Sequence, residues 1–166
     1  FLLLLVISTL TIIPYLGLTN FHTKGEPREA IVAVSMLQND NWILPINNGG
    51  DIAYKPPFFH WCIAALSLPA GEVTEFPSAL AAIIMAIACF LFFAKRSRND
   101  IAFLASLLLL SGFEVHRAAM ASRVDMVLTC FIVLAMLQLY RWWALGLKGI
   151  PIWAILFMSI ATPTKG

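Results

Sequence analysis

Three short stretches carry the side chains that could do chemistry. "GEPREA" sets Glu26, Arg28 and Glu29 around Pro27, "YKPPFFHW" sets Lys55 ahead of two prolines, and "HRAAMASRVDMVLT" carries Arg117, Arg123 and Asp125. Carboxylates can take or orient a proton, while lysine and arginine can steady the negative charge of a phosphate. Lys55 precedes Pro56, which biases it to extended backbone, so its ammonium is presented on a stiff approach beside aromatic residues. Asp125 stands at the mouth of an apolar run, where a carboxylate is costly unless it is paired or serves a site. Each stretch also has a plainer reading. Glu26 would cap a helix with Arg28 and Glu29 on its solvated face, Lys55 would snorkel at an interface, and Asp125 would pair locally with Arg123. His22, His60 and His116 follow no metal-ligand spacing. Cys62, Cys89 and Cys130 form no CxxC pair, so neither a zinc site nor a disulfide framework is indicated.

The elements that must position these groups are set by the solvent the chain is written for. Of 166 residues, 60% are hydrophobic and 12% charged, against ~25% charged in a soluble domain. That balance predicts an all-α integral membrane protein. A net charge of +2 with scattered basic residues excludes a nucleic-acid footprint. Apolar runs at 1–18, 76–94, 101–113, 124–143 and 150–161 are the expected membrane crossings. A sixth run, 58–70, is short, begins after Pro56 and Pro57 and reaches Pro69, so it is expected to lie along or dip into the membrane face. Lys95, Arg96 and Arg98 form the tightest basic cluster, and the positive-inside tendency puts their loop in the cytoplasm. Residues 19–75 then form one outer loop, and Glu26, Arg28, Glu29, Lys55, Arg117, Arg123 and Asp125 share the outer side. Arg141 and Lys148 face the cytoplasm, with Trp142 and Trp143 as an interfacial belt. Within the outer loop, Pro27 suits a first helical turn, and Ala30, Ala33, Val34 and Leu37 predict an amphipathic interfacial helix. The chain opens on "FLLLLVISTLTII" and closes on "ATPTKG", so a piece of a longer protein is expected.

The order "GEPREA", "WILP", "YKPPFFHW", "SRVDMVLTCF" and closing "TPTKG" resembles the amino-terminal part of the polyprenyl-phosphate-sugar glycosyltransferases. That group includes the lipid A aminoarabinose transferase and the protein O-mannosyltransferases. The resemblance spans nearly the whole chain. It implies a C-type glycosyltransferase fold, here partial, with the active site facing outward from a bacterial cytoplasmic membrane. It further implies a polyprenyl-phosphate sugar as donor and a lipid, glycan or protein as acceptor, and leaves a divalent metal open. In such enzymes the first outer loop carries an acidic pair, followed by interfacial helices and the Lys-Pro-Pro segment. Gly25 stands at the first acidic position and Glu26 at the second, so the base is Glu26 or, with the register moved, Glu29. Lys55 is the first cation expected on the departing phosphate, with Arg28, Arg117, Arg123 and Tyr54 on the substrate. Asp125 is expected to orient a donor hydroxyl or an arginine.

Two other classes fit an apolar chain with charges at one face. A transporter or flippase would line a headgroup path with them, although its usual paired repeats are not visible here. A non-catalytic scaffold would carry them as a solvated rim. No Gly-rich phosphate cradle appears for a nucleotide.

Overall fold

A computed structural model describes residues 1–17, 25–47, 50–70 and 75–165. The described residues are helical apart from turns and one isolated antiparallel bridge, Ile46 to Ile52. In chain order the helices are α1 (Leu2–Ile12), a 3-10 turn (Ile13–Tyr15), α2 (Gly25–Asn39), α3 (Phe58–Ala70), α4 (Phe76–Ala94), α5 (Asn99–Ser111), α6 (Phe113–Ala119), α7 (Val124–Ala144) and α8 (Ile152–Lys165).

Helix α4 is the hub, packing against α1, α3, α5, α6 and α7. Its sequence explains why. Pro77 occupies the first turn, where no N–H is missed, and the small residues Ser78, Ala79, Ala82 and Ala86 are fully buried, letting neighbouring backbones approach closely. The outward faces carry the large apolar side chains instead, among them Leu10, Ile84, Leu108, Met136 and Ile152. Apolar residues on both the packed and the exposed sides suit a lipid solvent and would be a liability in water.

Side-chain contacts fix the helix directions. The Ser78 hydroxyl at the start of α4 donates to the Arg123 carbonyl just before α7, at 3.1 Å, so α4 and α7 begin at the same end. Glu75 accepts from the Gly17 N–H at 3.1 Å, bringing the chain beyond α1 to that end. Lys165, at the end of α8, reaches Asp125 in the first turn of α7, as expected of antiparallel neighbours joined by a short turn. That turn uses Gly146, Leu147 and Gly149 at positive φ, and the Trp142 indole N–H caps the Gly149 carbonyl at 2.9 Å.

Among the described residues, two helices are long and apolar enough to cross a membrane: Phe76–Ala94, with mean hydropathy 2.4, and Val124–Ala144, with 1.6. Together α5 and α6 make a third candidate, bent by 68°. The bend falls at Gly112, where a Cβ would sit 3.2 Å from the Leu109 carbonyl oxygen, so a side chain there would press on the helix end it must leave. Of the other expected crossings, 1–18 yields the 11 residues of α1 before Pro14 tightens the chain into a 3-10 turn. The run 150–161 becomes the 14-residue α8. At 1.5 Å per residue these reach roughly 16 and 21 Å, short of a ~30 Å hydrocarbon layer. The 13 residues of α3, over the sixth run, reach roughly 20 Å.

Candidate functional site: two acid-held lysines at one end of the helices

The "GEPREA" stretch opens α2, and its acids face inward. Glu26, Glu29, Ala30, Ala33 and Met36 recur at helical spacing and are all buried, with both glutamates only 2% exposed, whereas Arg28 points to solvent. The plainer reading, with Glu29 on a solvated face, therefore fails. The inward stripe of α2 packs against α3. On α3 the buried stripe Phe59, His60, Ile63, Ala64 and Ser67 presents the matching polar group, His60, 1% exposed.

Glu29 is the centre of the first cluster. Its Oε2 lies 2.7 Å from His60 Nε2, and its Oε1 accepts from the Lys55 ammonium. Lys55 reaches it because the preceding segment is tied down. Asn47 N–H donates to the Asp51 carbonyl and Ala53 N–H to Pro45, while the Trp61 indole N–H bonds the Trp42 carbonyl at 2.7 Å. The Lys55 side chain stays 36% exposed, so its ammonium joins a buried carboxylate to solvent. Burial alone would push the Glu29 carboxyl up. The hydrogen bonds from His60 and Lys55, with their charges, outweigh it and hold the group below the ordinary carboxylate range.

This lowering makes the first prediction. The stabilisation it confers is complete above the unfolded carboxyl's ~4.3 and disappears as pH falls through the lower folded value. Thermal unfolding followed in detergent should move to lower temperature as pH drops below about 5. The Glu29→Gln variant should lose part of that acid dependence. Equal slopes in the two proteins would show that Glu29 carries no charge-linked stability.

The second cluster surrounds Asp125. Its Oδ1 accepts from Lys165 at 2.7 Å, and its Oδ2 lies 3.4 Å from the Arg123 guanidinium. The start of α7 adds the positive end of a helix dipole to the same carboxylate. An open cleft of about 430 Å³ adjoins Lys165, lined also by Leu128, Ala161 and Thr162. Arg117 is turned to Glu114 at 2.6 Å, and the charges of Asp125 and Glu26 also reach its guanidinium. The field of Lys55 reaches Asp125, which links the two clusters electrostatically.

Of the residues picked from sequence, Glu26, Glu29, Lys55, Asp125, Arg123 and Arg117 thus gather toward one end of the helices. Arg28 and Tyr54 do not join them, and the Tyr54 side chain is 86% exposed. His22 lies outside the described residues. Two participants were not singled out: His60, whose signal is its position five residues after Lys55 on the apolar stripe of a helix, and Lys165 of the closing "TPTKG". Among the described residues, no three His, Cys, Asp or Glu side chains converge as metal ligands would. What the arrangement offers is two ammonium groups, each oriented by a carboxylate, and a third carboxylate, Glu26, on the same helix face as Glu29. Comparison with protein-family models, with curated proteins and with solved structures yields no match.

Proposed function

We propose that the chain forms part of a membrane glycosyltransferase that moves a sugar from a polyprenyl-phosphate donor to a lipid, glycan or protein acceptor. The observation that carries this reading is the pairing of Lys55 with Glu29 and of Lys165 with Asp125 toward one end of an apolar helical bundle. When a sugar leaves a lipid phosphate, negative charge accumulates on the phosphate oxygens. Cations held in place beforehand stabilise that charge without reorganising during the reaction. Lys55 takes this role first, Lys165 and Arg123 support it, and Arg117 adds long-range positive charge. Glu29 is engaged by Lys55 and His60 and is held in its charged form, so it positions the ammonium, and Glu26, buried on the same face of α2, accepts or orients the acceptor's proton. Asp125 aims Lys165 and the arginine beside it. The reading calls for a C-type bundle in a bacterial cytoplasmic membrane, with this end facing outward.

In the full-length enzyme, Glu26→Gln should lower the rate of transfer from polyprenyl-phosphate sugar by about 10²- to 10⁴-fold while the protein remains folded. Wild-type activity in that variant would remove Glu26 from the chemistry. A second reading is favoured by one feature, the 68° break between α5 and α6, because interrupted helices are common where transporters bind a substrate. Movement of a lipid-linked headgroup across vesicles without bond cleavage would select it over transfer.

A further inference from the structure

The opposite end of the same two membrane-length helices holds a cavity that the proposed chemistry does not use. Because α4 and α7 begin together at Ser78 and Arg123, they also end together, and between their last turns lies a cavity of about 490 Å³. Its upper lining carries Lys95, Arg96 and Arg141, and its wall toward the bundle is apolar, including Leu91 and Leu134. Among the described residues, no carboxylate lines it. Asp100, a nearby acid in the sequence, is occupied by Arg98 in a two-point contact at 2.8 and 3.1 Å.

The cations are placed by neutral partners. The Arg96 guanidinium lies 3.7 Å over the Phe92 ring and 5.2 Å from the Tyr140 ring, and one nitrogen donates to the Phe92 carbonyl at 3.0 Å. Ring stacking fixes the plane of the guanidinium and leaves its net charge uncompensated. The Arg141 guanidinium donates to the neutral Gln138 amide oxygen at 3.4 Å. Among the described residues, Lys95, Arg96 and Arg141 have no acidic partner.

We propose that this cavity binds the headgroup of an anionic phospholipid, with its phosphate between Arg96, Arg141 and Lys95 and its acyl chains along the leucines of α4 and α7. Charge complementarity selects the anion. The choice of a lipid rests on the walls: they belong to the two helices of membrane length, so an occupant must be apolar below and anionic above. The site is independent of the sugar-transfer reading, since it uses none of those residues.

The test uses the full chain in micelles containing equal phosphatidylcholine and phosphatidylglycerol, with retained lipid counted by native mass spectrometry. Wild-type protein should keep phosphatidylglycerol preferentially. Arg96→Gln/Arg141→Gln should lose that preference by about thirtyfold, on the basis of roughly fivefold per cation at an anionic surface. Arg98→Gln/Lys148→Gln removes the same charge outside the cavity and should retain it, and Arg96→Lys should retain most of it in a correctly folded protein. Equal loss in the two double variants would mean diffuse attraction and overturn the site, as would unchanged retention in Arg96→Gln/Arg141→Gln. Displacement of the lipid by millimolar inorganic phosphate would overturn the lipid as the occupant and leave a free-phosphate site.

Discussion

Lys55→Ala is expected to slow sugar transfer from a polyprenyl-phosphate donor by about 10²- to 10³-fold, the usual consequence of removing one preorganised group from developing negative charge. The size follows from the setting of the ammonium. It sits between a carboxylate that is 3% exposed and open solvent, on a backbone stiffened by Pro56 and Pro57. A substrate phosphate therefore meets a cation already in place, and little entropy is lost in positioning it. Transfer should fall while donor binding changes less, because the charge on the phosphate grows as the bond to the sugar breaks. Lys55→Arg should recover only part of the rate, since a planar fork cannot keep both the Glu29 contact and the geometry of a point charge. Single-turnover transfer measured beside donor binding separates these effects. If donor affinity fell a hundredfold with the bond-breaking rate intact, Lys55 would be a binding group only, and a full rate in Lys55→Ala would remove it from the site.

The sequence made the helical, apolar character of the chain legible because both depend on local pattern. Pro27 and Pro77 start helices where a proline is tolerated, and the charge-poor runs became α4 and α7. Less legible was which face of α2 is buried. A stripe drawn through the apolar residues Ala30, Ala33, Val34 and Leu37 leaves the glutamates outside. The buried stripe is rotated slightly, through Glu26, Glu29, Ala33 and Met36. Hydrophobicity misplaces it because the acids are on the inside, and what repays their burial comes from elsewhere in the chain: His60 from α3 and Lys55 from the loop before it. No local pattern announces a partner 31 residues away. Lys165 was obscure for the same reason, since it meets Asp125 only once α7 and α8 fold back as a pair. Helix length falls short of the apolar run where a single residue ends a helix that hydropathy would continue, as at Pro14, while at Gly112 the chain bends and carries on as α6 beyond the expected limit of 113.

That burial also sets the second large effect, which is on stability. Glu29→Ala should destabilise the protein by about 1–3 kcal/mol, the cost of leaving a buried polar group without its hydrogen-bond partner. The loss falls chiefly on the His60 side of the cluster. Lys55 is 36% exposed and can turn its ammonium into water, but His60 is 1% exposed and cannot. Its Nδ1 already has no hydrogen-bonding partner among the described residues, so without Glu29 both ring nitrogens would be buried and unsatisfied. A physical ordering follows: Glu29→Ala should be the more destabilising of the two, since it strips His60 of its bond while Lys55→Ala leaves Glu29 still bonded to His60, whereas both should impair transfer, the first by releasing the ammonium and the second by deleting it. Replacing the buried pair as a unit, Glu29→Leu with His60→Phe, should recover most of the stability, because an apolar contact has no polar group to desolvate. It should recover none of the activity. Chemical denaturation of the four proteins in one detergent gives the ordering directly. Equal stability of Glu29→Ala and wild type would mean that the contact between α2 and α3 does not depend on this carboxylate, and Glu29 would no longer be the group that holds Lys55 in place.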